Sequence, residues 1–263
     1  MFLVDISYSH KNAAGRVEGR ERTPNPYAVV NTYSTHVIGI EYGFTDVMDL
    51  IVTVPWSNNY REFTIPDTGD FYRYRSDGLG DISVVGKAFL PWRDLVGFAE
   101  FGLSLPTGRS DQRNEFGYIP SFIQAGSGLY VPIIGLGANW SKSRWYNFTS
   151  VRLIMAGAMG TNAAGYKFQN QTRWSVGTLL TATTKFSFGL KLDGLAINGW
   201  DTRDGVKVEN TGGQWVSLTP SISFLPIGEY SFTLSYMKPV YWNTHSNQAM
   251  EDHEVRLSVS LVY

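Results

Sequence analysis

Residue types that could do covalent chemistry are few in this chain of 263 residues. It has no cysteine, and so neither a disulfide framework nor a thiolate nucleophile or metal ligand. His10, His36, His245 and His253 fall in different segments, without the HExxH or i,i+4 spacing that brings two imidazoles to one metal. Asn243-Thr244-His245-Ser246-Asn247 holds the types needed for a nucleophilic Ser-His-Asn site. Its spacing is wrong, because adjacent His and Ser side chains on a strand point to opposite faces and cannot share a proton. The run Gly160 to Gly165 lacks the Lys-Ser/Thr that follows a phosphate loop. The expectation is therefore no catalytic residue, no metal and no cofactor.

The remaining polar chemistry is charge, and its placement is regular. From Lys185 onward Phe186, Phe188, Leu190 and Leu192 share one face of an extended segment, while Ser187, Gly189, Lys191 and Asp193 share the other. The last segment repeats the pattern, with Val255, Leu257, Val259, Leu261 and Tyr263 opposite Glu254, Arg256, Ser258 and Ser260. A lipid-facing Lys in mid-membrane costs about 2–4 kcal/mol, so if the apolar face meets lipid, Lys191 and Asp193 face a lumen. The same parity sends Asp5, Ser7, Glu41, Lys87, Glu100, Arg152, Arg173, Ser217, Thr219, Ser221, Glu254 and Arg256 inward. Ile82, Val84, Ala99, Phe101, Leu103, Val151, Leu153, Val176, Val216, Leu218, Ile222 and Phe232 then face outward, with no charge among them. His36 is the exception: alternation back from Tyr42, Ile40 and Ile38 places it outward, unless a β-bulge re-aims it.

Alternating segments lie near residues 2–10, 29–43, 48–57, 80–90, 96–105, 127–140, 146–159, 172–181, 185–198, 214–224, 230–241 and 253–263, about twelve in all. Connections at 44–47, 91–95, 141–145, 182–184 and 225–229 are short. Those near 11–28, 58–79, 106–126, 160–171, 199–213 and 242–252 are long and polar. Short turns at one end and long loops at the other is the asymmetry of an all-β, antiparallel, up-and-down transmembrane barrel with both termini on the periplasmic side. No linker or charge shift divides the chain, so residues 1–263 read as one domain. A net charge of −1 carries no basic stripe for nucleic acid. No stretch of eighteen apolar residues supplies a membrane helix, whereas about ten residues suffice for a strand. Met1-Phe2-Leu3-Val4-Asp5 runs straight into an alternating segment with no signal peptide, so the barrel reading requires the numbering to begin at the mature protein in a bacterial outer membrane. Trp92, Trp140, Trp145 and Tyr146 flank short turns, and Trp56, Tyr60, Trp200, Tyr241 and Trp242 flank long loops, the positions of two interfacial aromatic belts.

Function then depends on the lumen. About twelve strands give a bore between the side-chain-filled eight and the open sixteen. Candidate lining residues are Asp5, Glu41, Asp81, Lys87, Glu100, Arg152, Arg173, Lys191, Asp193, Glu254 and Arg256. Ser, Gly and Thr between them leave room for passive conduction of small polar or amphipathic solutes. The same charges, paired, would instead knit the lumen into a structural barrel, plugged by loops or ringed around a partner such as an electron-transfer protein. A phospholipase-like enzyme is the minor alternative, on the His245 segment. The expected partners are the lipid bilayer and a small-molecule solute, with a protein partner or a second copy left open.

Four motifs in order carry a resemblance: GFTDVMDLIVTVPW from Gly43, GLGDISVVGKAFL from Gly78, SLPTG from Ser104 and PSFIQAGSGLYVPIIGLGANWSK from Pro120. Over most of its length the chain resembles the outer-membrane proteins of the MetA-pathway of phenol degradation family. The resemblance implies a barrel of about twelve strands and transport of aromatic compounds. The chain departs from the pattern in ending on Tyr263 where a terminal Phe is common. Gly78, Gly80, Gly108, Gly126 and Gly128 read as turn or bend glycines. Asp81 reads as an inward acid near the outer mouth, able to bind a loop amide or a passing solute.

Overall fold

A computed structural model describes residues 2–114, 117–226 and 229–263. Twelve strands form the wall: β1 Phe2–Ala13, β2 Val30–Thr45, β3 Met48–Thr64, β4 Ser83–Trp92, β5 Leu95–Ser104, β6 Val131–Lys142, β7 Trp145–Ile154, β8 Gln171–Thr181, β9 Phe186–Ile197, β10 Gly213–Phe224, β11 Tyr230–Met250 and β12 His253–Val262. Each pairs antiparallel with its neighbours in sequence, and β1 pairs with β12 from Leu3↔Val262 to Asn12↔His253, closing the sheet. Closure leaves no free edge among the wall strands, which satisfies backbone groups where lipid could not. The two ends of the chain meet at the seam, where Phe2 and Tyr263 exchange backbone hydrogen bonds of 3.0 and 2.8 Å.

Two-residue turns join β4 to β5 at Arg93–Asp94 and β6 to β7 at Ser143–Arg144. Arg93 and Ser143 take positive φ, 56° and 57°, as hairpin turns that follow the strand twist require. The opposite end is more ordered than expected. Gly15–Gly19 and Glu21–Thr23 form a hairpin that pairs with the outer part of β11. Phe71–Leu79 pairs with the outer half of β3. The strand β11 continues through 242–250, so three of the segments expected to be loops, near 11–28, 58–79 and 242–252, are partly sheet. The strands expected from 80 and from 127 begin at Ser83 and Val131, and the one expected to reach 159 ends at Ile154.

Apolar side chains do not collect inside. Phe101 is 64% exposed, Leu136 59% and Leu257 54%, all on the outward parity. Monomers in water rarely expose an apolar surface of such extent, and here it encircles the wall. The small buried cluster of Leu129, Val131 and Ala156, joined by Ile154 and Phe168, lies at the top of β6 and β7 where loops return to the wall.

Candidate functional site: the barrel lumen

The inward faces enclose a cavity of about 1580 Å³. Of the candidate residues, Arg152, Arg173, Lys191, Asp193, Glu254 and Arg256 line it. Asp5, Glu41, Asp81, Lys87 and Glu100 do not. Asp5 accepts a hydrogen bond from Ser260 at 2.7 Å, on the inward face near the chain ends. Lys87 lies in register between Asp49 and Glu100, with its ammonium 4.3 Å from the Phe98 ring centroid. Glu41 sits one strand further round, on β2, with Asp49, Lys87 and Glu100 as its charged neighbours.

Most wall charges are paired. Lys191 and Asp193 approach to 3.1 Å, Arg256 and Glu254 to 2.8 Å, and Lys11 and Glu251 to 2.6 Å. Arg152 places Nε and Nη2 at 2.9 and 2.6 Å from Glu100 Oε2, although β6 stands between their strands. The intervening residue is Gly135, whose register partners are Glu100 and Arg152. A Cβ there would lie 2.7 Å from Glu100 Oε2, so the glycine clears the path of the ion pair. Arg173, in register with Arg152, has among the described residues only the Gln171 side-chain oxygen as a hydrogen-bond partner, at 3.1 Å.

The outer half of the lumen is narrowed from within. Asn59 Nδ2 donates to the Ile123 carbonyl at 3.1 Å, and the Arg61 guanidinium lies 5.2 Å from the Phe122 ring centroid. These contacts hold the short helical turn Ser121–Ile123 against the inner face of β3, with Ile123 fully buried. The base of that loop is tied to the wall at Asp81. Its Oδ1 accepts from the Gly108 N–H at 3.0 Å, and its Oδ2 from the Ser127 N–H and hydroxyl at 2.7 and 2.6 Å. Thr107 Oγ1 donates to the Gly80 carbonyl and accepts from the Ile82 N–H. Three backbones touch here: a Cβ on Gly108 would lie 2.7 Å from Gly126 Cα and 2.9 Å from the Gly80 carbonyl carbon. Gly78 and Gly128 instead serve through positive φ, 134° and 72°. Read separately in the sequence as strand-end glycines, the GLGD, LPTG and GSG motifs thus meet at one junction.

His36 faces outward without a bulge. Tyr8↔His36 and His36↔Trp56 are in continuous register, the imidazole is exposed, and its centroid is 4.8 Å from that of Tyr8. Polar Asn12, Thr32 and Ser34 follow on this face, so the Tyr8-His36-Trp56 row rims the apolar band. At the short-turn end Trp92, Trp140 and Trp145 are exposed. Two expected belt residues lie elsewhere: Tyr146 shares the inward parity of Ser150 and packs on Phe148, and Trp242 pairs with lumenal Trp215. The His245 segment lies in β11 rather than in a loop. His245 contacts Trp200, and Ser246 Oγ accepts from the Asn210 N–H at 2.9 Å, so neither is poised to activate the other. Among the described residues no group of three His, Cys, Asp or Glu side chains could hold a metal ion.

No family model matches the chain, and no curated protein matches it. Solved structures do. An outer-membrane channel from Pseudomonas putida F1 superposes with a TM-score of 0.76 at 10% identity, covering 100% of this chain and 95% of that one. A FadL homologue from Pseudomonas aeruginosa gives 0.52 at 10% identity, with coverage of 99% and 90%. The transport unit of the autotransporter AIDA-I from Escherichia coli gives 0.54 at 10% identity, with coverage of 100% and 90%. At these identities the likeness establishes the fold, that of outer-membrane barrels, and the fold alone serves more than one purpose.

Proposed function

We infer that this chain is a passive outer-membrane channel for small polar or amphipathic molecules, with lipid against its apolar wall and both termini in the periplasm. One observation carries the reading: a water-accessible cavity of about 1580 Å³, lined by ion pairs, runs inside a wall whose large apolar residues face out. Its likeness to an outer-membrane channel over nearly the full length of both chains supports it. Transport of aromatic compounds, implied by the sequence resemblance, belongs to the same reading and awaits a substrate. Selectivity is assigned to Arg152, Arg173, Lys191, Asp193, Glu254 and Arg256, which reach the cavity, rather than to Asp5, Glu41, Asp81, Lys87 and Glu100.

A second reading draws on the loop tied down by Asn59, Arg61 and Asp81, which is a ready plug for a structural barrel. Planar-bilayer recording separates the two. Stepwise currents, with ion selectivity altered by Lys191→Glu, are expected of the channel. A silent protein that inserts normally overturns it in favour of the scaffold.

A further inference from the structure

Within the channel reading, we propose that the lumen holds a binding site for small organic carboxylates, formed by guanidiniums that the wall leaves without a counter-charge. The cavity is lined by seven Lys and Arg side chains against four Asp and Glu. Three of those acids are already held by lumenal cations, Glu251 by Lys11, Asp193 by Lys191 and Glu254 by Arg256; the fourth, Glu209, is exposed on the loop between β9 and β10 and pairs with no cation among the described residues. Arg152 is held by Glu100. The surplus falls on Arg16, Arg61 and Arg173, none of which has an ion-pair partner among the described residues.

No carboxylate lies within ion-pair distance of them among the described residues; Asp193 and Glu251 act on Arg173 from further off, and each of those acids is held by a lysine. Arg16 donates to the side-chain and backbone oxygens of Asn247, Arg173 to Gln171, and Arg61 rests on the Phe122 ring. Each keeps spare N–H donors in a confined space where water screens less than in bulk. A guanidinium presents a planar fork that matches a carboxylate with two parallel hydrogen bonds, and three of them on one cavity create a positive potential that concentrates anions. Chloride would feel the same potential. What favours an organic acid is the other lining beside the cations: Tyr33, Phe63, Tyr74, Phe122 and Trp215 offer ring faces and edges to an apolar body attached to the carboxylate.

The test uses the full chain in detergent and in planar bilayers, with benzoate as probe and the uncharged benzamide as its match in shape. Calorimetry is expected to show saturable benzoate binding and much weaker benzamide binding. Arg61→Gln and Arg173→Gln should each weaken benzoate about tenfold, the loss of one charge-assisted contact. Arg73→Gln, on the outer surface, should change nothing. In a KCl gradient the reversal potential should report anion preference, reduced by either Gln variant and retained by Arg61→Lys. Heat-modifiable mobility on gels confirms that each variant is folded, and if one fails the other carries the test. Equal binding of benzoate and benzamide, or wild-type affinity in both folded variants, overturns the proposal. Conductance without benzoate binding defeats this site and leaves the channel reading standing. Binding without conductance does the reverse.

Discussion

Asp81 engages all its carboxylate hydrogen-bonding in one place, tying Gly108 and Ser127 to the wall where the sheet steps from Phe71–Leu79 to β4. Replacing it with Asn leaves a single oxygen to accept what two oxygens accept now, and adds a donor pointed at N–H groups. A destabilisation of about 1–3 kcal/mol is expected at the loop base, read as faster protease cleavage within residues 105–130 while the barrel stays heat-modifiable. Gly108→Ala should have a similar effect for a different reason, because the added methyl meets backbone that cannot swing aside. A second acid, Asp201, sits in the loop between β9 and β10. Burial raises its pKa, against the Gln169 N–H, which lowers it. The docked loop therefore holds the proton more tightly than the undocked loop does. Docking is firmest in acid and weakens as pH rises through that raised value. Asp201→Asn keeps the acceptor for Gln169 and removes the charge. Hydrogen exchange of residues 199–213, corrected for intrinsic rates, should then lose its pH dependence; a slope equal to wild type would count against the assignment.

Strand faces were legible wherever one side of the wall meets lipid and the other water. Leu190 and Lys191 are a clear instance, adjacent in sequence and on opposite sides of β9. Leu190→Arg should cost about 2–4 kcal/mol at mid-wall, seen as a lower midpoint of urea unfolding from vesicles, and normal stability there would contradict the lipid assignment. The same logic explains the strands that alternation missed. In Phe71–Leu79 the residues Arg73, Arg75 and Asp77 point out and Tyr72, Tyr74 and Ser76 point in, the inverse of the membrane pattern. Above the bilayer both faces meet water, so an outward Arg is stabilised by stacking on Tyr60 and pairing with Glu62 instead of being excluded. The outer end of β11 is polar on both faces for the same reason. Parity also says nothing about height. It put Glu41, Lys87 and Glu100 inward without revealing that they lie clear of the main cavity, and it left Arg61 unseen in what read as a loop.

At the scale of the whole barrel, the wall sets the diameter and loops enter it from the long-loop end, among them the one between β5 and β6. That loop's ends already touch: the Gly126 N–H donates to the Arg109 carbonyl at 3.0 Å, and Gly108 abuts Gly126. Excising Ser110–Ala125 and joining Arg109 to Gly126 therefore preserves the Asp81 junction while removing the segment that carries Pro120 and Phe122 into the cavity. Wall pairing from Val131 onward is untouched, so the barrel should assemble and keep its mobility shift. Conductance should rise severalfold, because the outer half of the lumen loses the segment packed on Asn59 and Arg61, and Arg61 then faces open water. Unchanged conductance in a correctly folded deletion would place the constriction elsewhere in the lumen, and the Asn59-Arg61 contacts would then serve only to anchor the loop.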